Sequence, residues 1–223
     1  MPKKSVLSIL FVLLCIPAAN ASSVADRVQS KYESLASLEA EFVQILTNAA
    51  TEEQDKRTGR IYYSEPELIR WVTESPEKEV LIVGPKTVWD YFPEEDTAYK
   101  YPVREILSSK TMLRFISGRA NLKEDFKIED QGREDGLAKL KLVPHEPETN
   151  LVLAYIWVDE ENWLVKKVLV VDFWGNGNEL RLSGISLNPD LDDGLFEFSP
   201  PEDVLIQDNT KNGSDQSSAG GGQ

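Results

Sequence analysis

A long succession of short apolar runs, each ended by proline or glycine, constrains this fold more than any other feature. The runs alternate apolar and polar residues, which is the period of half-buried strands. Runs of this length between such breaks favour an antiparallel meander. A first strand is predicted from Leu38, and the others are residues 60–64, 68–74, 79–83, 87–92, 126–131, 137–143, 151–158, 163–173, 179–186 and 196–198.

Two stretches follow a helical period instead. Residues 24–36 are predicted to form a helix, for which Ser22, Ser23 or Asp26 is a candidate N-terminal cap. Residues 105–118 form the second predicted helix, and a short turn follows it. An open curved sheet cannot cover its own inner face, so the helices are expected to form a lid over that face of one large sheet.

The strand period also predicts which side chains face inwards. Arg70 and Asp90 are charged and are expected to face solvent, which places their neighbours in sequence on the inner face. The inner-face residues assigned in this way are Ile69, Trp71, Trp89 and Tyr91. Residues 51–58 are polar and are expected to form a loop that Gly59 closes.

The first 21 residues have the layout of a cleaved export signal. Lys3 and Lys4 precede an apolar run at residues 6–16, which is shorter than the roughly 20 residues of a membrane span. Cleavage is expected after Ala21. Cys15 lies inside the apolar run and not at a lipidation position, so the exported chain is expected to be soluble and without cysteine.

The exported chain divides into a folded domain and a tail. Removing 21 of the 223 residues leaves 202, and the loss of two lysines changes the net charge from −14 to −16. Residues 22–207 are expected to form the domain. Residues 208–223 contain little to bury and are expected to be disordered.

Composition and motifs disfavour an enzyme, a metal site and a nucleic-acid site. The 38 acidic residues outnumber 24 basic ones, which would repel a phosphate backbone, and one histidine leaves little room for zinc or a triad. His145 lies in a proline-flanked loop. The acidic run at 190–194 fails as a calcium loop because Pro201 occupies the twelfth position, and residues 175–177 predict a hairpin turn.

Five segments together resemble the LolA family of periplasmic carriers of outer-membrane lipoproteins. They are residues 37–44 (SLEAEFVQ), 59–63 (GRIYY), 66–71 (PELIRW), 86–91 (KTVWDY) and 196–204 (FEFSPPEDV). The resemblance implies a single unclosed (half) β-barrel, mainly antiparallel β with α, covered by a helical lid. It also implies cargo transfer from a LolCDE-like inner-membrane ABC transporter to a LolB-like outer-membrane receptor, without catalysis or a cofactor.

The implied cavity receives the acyl chains of lipoproteins, and the protein is expected to act as a monomer. The cavity residues predicted from strand period are Ile61, Tyr63, Ile69, Trp71, Trp89 and Tyr91. The predicted lid residues are Met112, Phe115 and Ile116.

One position departs from the family pattern. Glu65 stands just before a proline, where the family commonly has a basic residue implicated in holding the lid and contacting the transporter. We therefore expect Glu65 to pair with a basic residue of the lid region. The candidates are Arg104, Lys110, Arg114 and Arg119.

Three alternatives remain open on the sequence. The nearest is a related half-barrel that carries another lipid or a glycolipid, or that senses lipids as an envelope-stress regulator. A lipid-anchored receptor is disfavoured by the position of Cys15. A carboxylate-dependent hydrolase is the alternative from a different class, although no pair of acidic residues is marked out for it.

Overall fold

The computed structural model describes residues 23–103, 115 and 120–210. Helix α1 is Val24–Glu33, helix α2 is Leu122–Asp125, and 3₁₀ turns lie at Pro93–Glu95 and Asp193–Phe196. The strands are β1 (Ser37–Thr47), β2 (Gln54–Ser64), β3 (Leu68–Ser75), β4 (Glu79–Val83), β5 (Thr87–Phe92), β6 (Thr97–Pro102), β7 (Phe126–Glu134), β8 (Leu137–Pro144), β9 (Leu153–Asp159), β10 (Leu164–Val171), β11 (Gly177–Leu187) and β12 (Leu205–Asp208).

All twelve strands of the described ranges form one sheet, in the order β12-β6-β5-β4-β3-β2-β1-β11-β10-β9-β8-β7. Neighbouring strands are antiparallel, except that β12 pairs with β6 in parallel. The edge strands β12 and β7 share no ladder in this part of the chain. The predicted fold class, an unclosed antiparallel sheet with helices, is therefore confirmed.

Helix α1 begins with a reciprocal cap. The Ser23 hydroxyl accepts a hydrogen bond from the Asp26 backbone N–H, and the Asp26 carboxylate accepts one from the Ser23 N–H. The apolar side of the helix packs on one face of the sheet, called the inner face here. The backbone N–H of Val165 in β10 donates a hydrogen bond to the Tyr32 hydroxyl at 3.3 Å, which fixes α1 against that strand.

Strand pairing defines the two faces of the sheet between β2 and β5. Residues directly opposite one another in antiparallel strands share a face. Ile61 pairs with Trp71, Trp71 with Leu81, and Leu81 with Asp90. These four residues are all buried, so the inner face includes Asp90.

The predicted orientation of β5 is wrong. Trp89 pairs with Ile82, which pairs with Arg70, so Trp89 and its neighbour Tyr91 lie on the outer face. The physical reason is that the outer face is itself covered. The Phe198 ring packs 5.3 Å from Trp89 and 5.2 Å from Tyr91, between ring centroids. The buried carboxylate of Asp90 therefore breaks the rule that charged residues face solvent.

The C-terminal segment provides this cover. The strand predicted at 196–198 is wrong, because a 3₁₀ turn ends at Phe196 and the following residues cross the outer face. Arg70 Nη1 donates to the Leu195 carbonyl at 3.0 Å, which anchors the segment to β3. The chain then forms β12, which reaches Asp208, the first residue of the predicted disordered tail.

Several sequence predictions lie outside the described residues. These are the export signal at 1–21, nearly all of the helix predicted at 105–118, the side chains of Met112 and Ile116, the four basic candidates for Glu65, and residues 211–223. In the part of the chain that the structure covers, no helix combines the length and the apolar character needed to cross a membrane.

Candidate functional site: the inner-face cavity

In one half of the inner face, the side chains are buried in a hydrophobic cluster that includes residues of helix α1 and Phe115. Ile61, Tyr63 and Ile69 belong to this half and are no more than 5% exposed. Phe115 lies among residues of α1, α2, β9 and β10, and its ring centroid is 5.8 Å from that of Phe126. The predicted lid residue Phe115 therefore packs over the same apolar surface as α1.

The other half of the inner face is open and forms a cavity of about 1030 Å³. Its apolar surface consists of Leu46, Trp71, Leu81 and Val170. Glu79 of β4 and Val170 of β10 both line it, although five strand spacings separate those strands, or about 24 Å in a flat sheet. The sheet therefore curls around the cavity.

Polar side chains line the mouth of the cavity. Arg57 donates from Nη1 to Glu79 Oε2 at 3.2 Å and from Nε to Asp55 Oδ2 at 3.1 Å. Gln44 Nε2 donates to Asn178 Oδ1 at 2.9 Å. The cavity is thus amphipathic, with an apolar floor that continues into the core and a mouth of ion pairs and amides.

Gly59 allows a close approach of β2 and β3 beside the cavity residue Trp71. It lies at a bulge in the middle of β2, and the Phe42 ring sits over it, 4.8 Å from the ring of Trp71 between centroids. A Cβ on Gly59 would stand 1.8 Å from the Val72 carbonyl oxygen. The expectation that Gly59 closes a polar loop is wrong, because β2 begins five residues earlier at Gln54.

Two loops form the rim. The turn between β10 and β11, which includes the predicted hairpin residues 175–177, does join antiparallel strands. The backbone N–H of Ala49, in the β1–β2 loop, donates to Asn176 Oδ1 at 3.0 Å and so ties the two loops together. Asp172 and Asn176 line the cavity from this turn.

Two tyrosines, one in α1 and one in β6, have raised pKa values. Burial raises the pKa of the Tyr32 hydroxyl to about 12, against the opposing effect of its hydrogen bond from Val165. The pKa of Tyr101 is raised first by burial and then by the negative charge of Asp90. Both side chains are therefore neutral near neutral pH.

The six predicted cavity residues are distributed over three environments. Trp71 lines the open cavity. Ile61, Tyr63 and Ile69 share its face but lie in the covered half, as buried members of the core. Trp89 and Tyr91 lie on the outer face, as shown above. Glu65 is exposed, and its backbone N–H donates to the Ala36 carbonyl at 2.9 Å.

Sequence reasoning missed the polar mouth. Arg57 and Asp55 are in the same two-residue phase as Ile61 on β2, and this phase is a signal that could have placed them on the inner face. The charge of this segment instead predicts a loop. The pattern correctly predicts a strand at Glu79, but the orientation of this side chain into the cavity follows only from its pairing with Thr73.

The curled open sheet, its partly covered inner face and its amphipathic cavity define a half-barrel binding protein. Within the described residues, no three His, Cys, Asp or Glu side chains are grouped so as to hold a metal ion. The sequence profile described as "Outer membrane lipoprotein carrier protein LolA" matches residues 33–199. The chain therefore belongs to the LolA family, whose members are carriers and not enzymes.

Individual relatives agree with this assignment. An outer-membrane lipoprotein carrier protein of Methylococcus capsulatus is 26% identical over 200 residues, covering 89% of this chain and 95% of the relative. One from Dechloromonas aromatica is 23% identical over 187 residues, covering 83% and 88%.

Solved structures show the same fold at low identity. An uncharacterized conserved protein from Thermus thermophilus has a TM-score of 0.55 at 14% identity, covering 83% of this chain and 96% of that protein. The Mycobacterium tuberculosis lipoprotein LppX has a TM-score of 0.50 at 10% identity, covering 76% and 95%.

Proposed function

We propose that this protein carries acylated lipoproteins across the periplasm and holds their acyl chains in the inner-face cavity. It would receive the cargo from a LolCDE-like ABC transporter and deliver it to a LolB-like receptor, acting as a monomer after cleavage behind Ala21. The curated relatives support the cargo class, since they are named outer-membrane lipoprotein carrier proteins.

The observation that carries the proposal is the amphipathic cavity. Its volume of about 1030 Å³ is slightly above the usual range for ligand sites, roughly 300–1,000 Å³. Trp71, Leu81 and Val170 supply an apolar floor for acyl chains. The ion pairs of Arg57 at the mouth suit the polar linkage that joins the chains to a peptide.

Release requires that binding be partly offset. Burying acyl chains is worth about 0.8 kcal/mol per methylene, so a carrier that gained this in full would not release its cargo. The cover formed by α1 and Phe115 occupies apolar surface that acyl chains would also use. Cargo that enters the covered half must displace this packing, including the contact of Phe115 with Phe126, which lowers the net affinity.

Two adjacent valines provide a matched test. Val170 lines the cavity, while Val171 belongs to the opposite face of β10. Val170→Phe should narrow the cavity and reduce the lipoprotein that the purified protein releases from ATP-supplied inner-membrane vesicles. Val171→Phe should release as much as the unaltered protein, and thermal melting should show that both variants are folded.

Failure of the unaltered protein to release lipoproteins would refute the proposal. Mass spectrometry of organic extracts from the native protein tests the cargo class independently. Extracts that contain a glycolipid or another lipid, and no lipoprotein, would favour the related half-barrel carriers instead.

The lid role of Glu65 is a separate prediction. We expect its carboxylate to pair with Arg104, Lys110, Arg114 or Arg119, and Glu65→Ala to change both cargo release and lid mobility. Hydrogen exchange of the lid region measures mobility. Unchanged exchange and unchanged release in Glu65→Ala would argue against the pairing.

A further inference from the structure

Two adjacent aromatic side chains stand exposed at the turn between β10 and β11. Phe173 is 72% exposed and Trp174 is 65% exposed, the highest values among the large hydrophobic residues of the described ranges. Their rings contact one another edge to face, with centroids 6.0 Å apart. Large aromatic residues exposed side by side are typical of interaction sites.

The turn that presents them is rigidly built. Asp172 Oδ1 accepts hydrogen bonds from the backbone N–H groups of Trp174 at 2.9 Å and Asn176 at 2.8 Å. The Phe173 N–H donates to the Thr149 carbonyl at 2.9 Å, and Gly175 takes a φ of +85° that side chains rarely allow. A partner would therefore bind a preformed surface, with little loss of backbone entropy.

The pair stands at the mouth of the cavity. Asp172 and Asn176, which flank the two aromatic residues, both line it. A surface that binds Phe173 and Trp174 therefore lies next to the opening through which cargo would enter or leave. If the protein has the proposed function, a transfer partner binds at this surface.

The charge around the mouth indicates which class of partner fits. Among the described residues that line the cavity, Glu53, Asp55, Glu79 and Asp172 are acidic and Arg57 alone is basic. An acidic mouth on a chain with net charge −14 is repelled by anionic phospholipid surfaces and attracted by lysine and arginine. Buried tryptophans are frequent affinity determinants at protein interfaces.

We infer that Phe173 and Trp174 dock into an apolar recess of a partner protein, and that basic side chains border this recess. The partner is the membrane protein that supplies or accepts the cargo, an assignment that rests on the proposed function. The aromatic pair provides affinity, and the acidic mouth orients the approach.

A label beside the pair measures docking without measuring cargo. Because Cys15 is the one cysteine of the chain, Ala50→Cys in a Cys15→Ser background carries a single environment-sensitive fluorophore on the exposed β1–β2 loop. The labelled protein is titrated with inner- and outer-membrane vesicles of the host, before and after protease digestion of their surface proteins.

The matched control removes two exposed apolar residues elsewhere. Leu205 and Ile206 of β12 are 61% and 47% exposed. Phe173→Ser with Trp174→Ser should raise the half-saturating vesicle concentration by roughly ten-fold or more. Leu205→Ser with Ile206→Ser should change the half-saturating vesicle concentration less than about two-fold. Added salt should raise this concentration for the unaltered protein and for both double variants.

Each other outcome overturns the inference. Equal half-saturation for the two double variants would show that the aromatic pair does not dock. Binding that survives protease digestion would identify a lipid surface as the occupant, and self-association lost with the pair would identify a second copy. Lipoprotein release is assayed in parallel. Protease-sensitive docking without lipoprotein release would refute only the proposed function. Lipoprotein release together with docking that the Phe173→Ser/Trp174→Ser substitutions leave unchanged would refute only this inference.

Discussion

Replacing Gly59 with alanine should be among the most damaging single-methyl additions in the protein. The new Cβ would lie 1.8 Å from the Val72 carbonyl oxygen and 2.9 Å from the Phe42 ring, whereas real Cβ contacts stay beyond about 3.0 Å. The Val72 oxygen belongs to the backbone of the neighbouring strand. Strand β3 would have to move by at least about 1.2 Å, a shift that weakens its ladder with β2.

The expected cost follows from what must move. Overpacking against side chains costs typically 1–3 kcal/mol, and here a backbone atom must yield, so we expect at least about 3 kcal/mol. With a urea m-value of about 2–3 kcal/mol per molar, the unfolding midpoint should fall by at least about 1 M. The Phe42–Trp71 contact lies at this point, so the near-ultraviolet circular dichroism should also change.

Gly177 supplies the control. A Cβ there would meet the Leu169 side chain at 3.5 Å and Thr47 at 3.7 Å, which are ordinary contacts. The free energy of unfolding of Gly177→Ala should lie within about 0.5 kcal/mol of the value for the unaltered protein. If Gly59→Ala unfolds at the same urea concentration as Gly177→Ala, the close approach of β2 and β3 at this bulge does not exist.

Three further predictions concern α1, the outer face and the cavity. Tyr32→Phe removes the acceptor of the Val165 N–H, and calorimetry should show a loss of about 1–2 kcal/mol, or about 2–8 °C in the unfolding temperature. Since folding raises the pKa of Tyr32 to about 12 from an ordinary value near 10, the stabilisation from its neutral hydroxyl is complete below pH 10 and is lost between pH 10 and 12. The stability advantage of the unaltered protein over Tyr32→Phe should therefore shrink over that interval, and an advantage that stays constant in urea titrations at several pH values would refute the assignment. Phe198→Ala uncovers Trp89 and Tyr91 and should cost about 2 kcal/mol in urea unfolding without reducing cargo release, because all three rings lie outside the cavity. Arg57→Leu removes both mouth ion pairs and should weaken retention of loaded cargo during gel filtration, whereas Arg60→Leu, on the outer face of the same strand, should not.

The sheet is more predictable from sequence than the site. The bounds of β4 and β5 agree with the prediction because proline and glycine end those strands on both sides. The sequence pattern does not predict strands β6 and β12, because β6 has little apolar alternation and β12 depends on parallel pairing with a distant segment. Tertiary pairing of that kind leaves no local pattern.

The errors at the site have a common physical origin. The rule that charged residues face water fails for both Asp90 and the segment 54–58, because Asp90 is buried and Arg57 lines the cavity. Likewise, Trp89 and Tyr91 are apolar but lie outside, under Phe198. Residue type alone does not determine burial, which also depends on which segments cover each face of the sheet.

The gap between β7 and β12 allows the volume of the interior to change at low cost. In a closed barrel, widening the interior would break interstrand hydrogen bonds, each of which would leave polar groups unpaired. Here no ladder joins the two edge strands within the described residues. The sheet can therefore uncurl or tighten by small changes of twist spread over many strands. If the protein has the function proposed above, the same backbone can then enclose cargo of different width without breaking a strand pair.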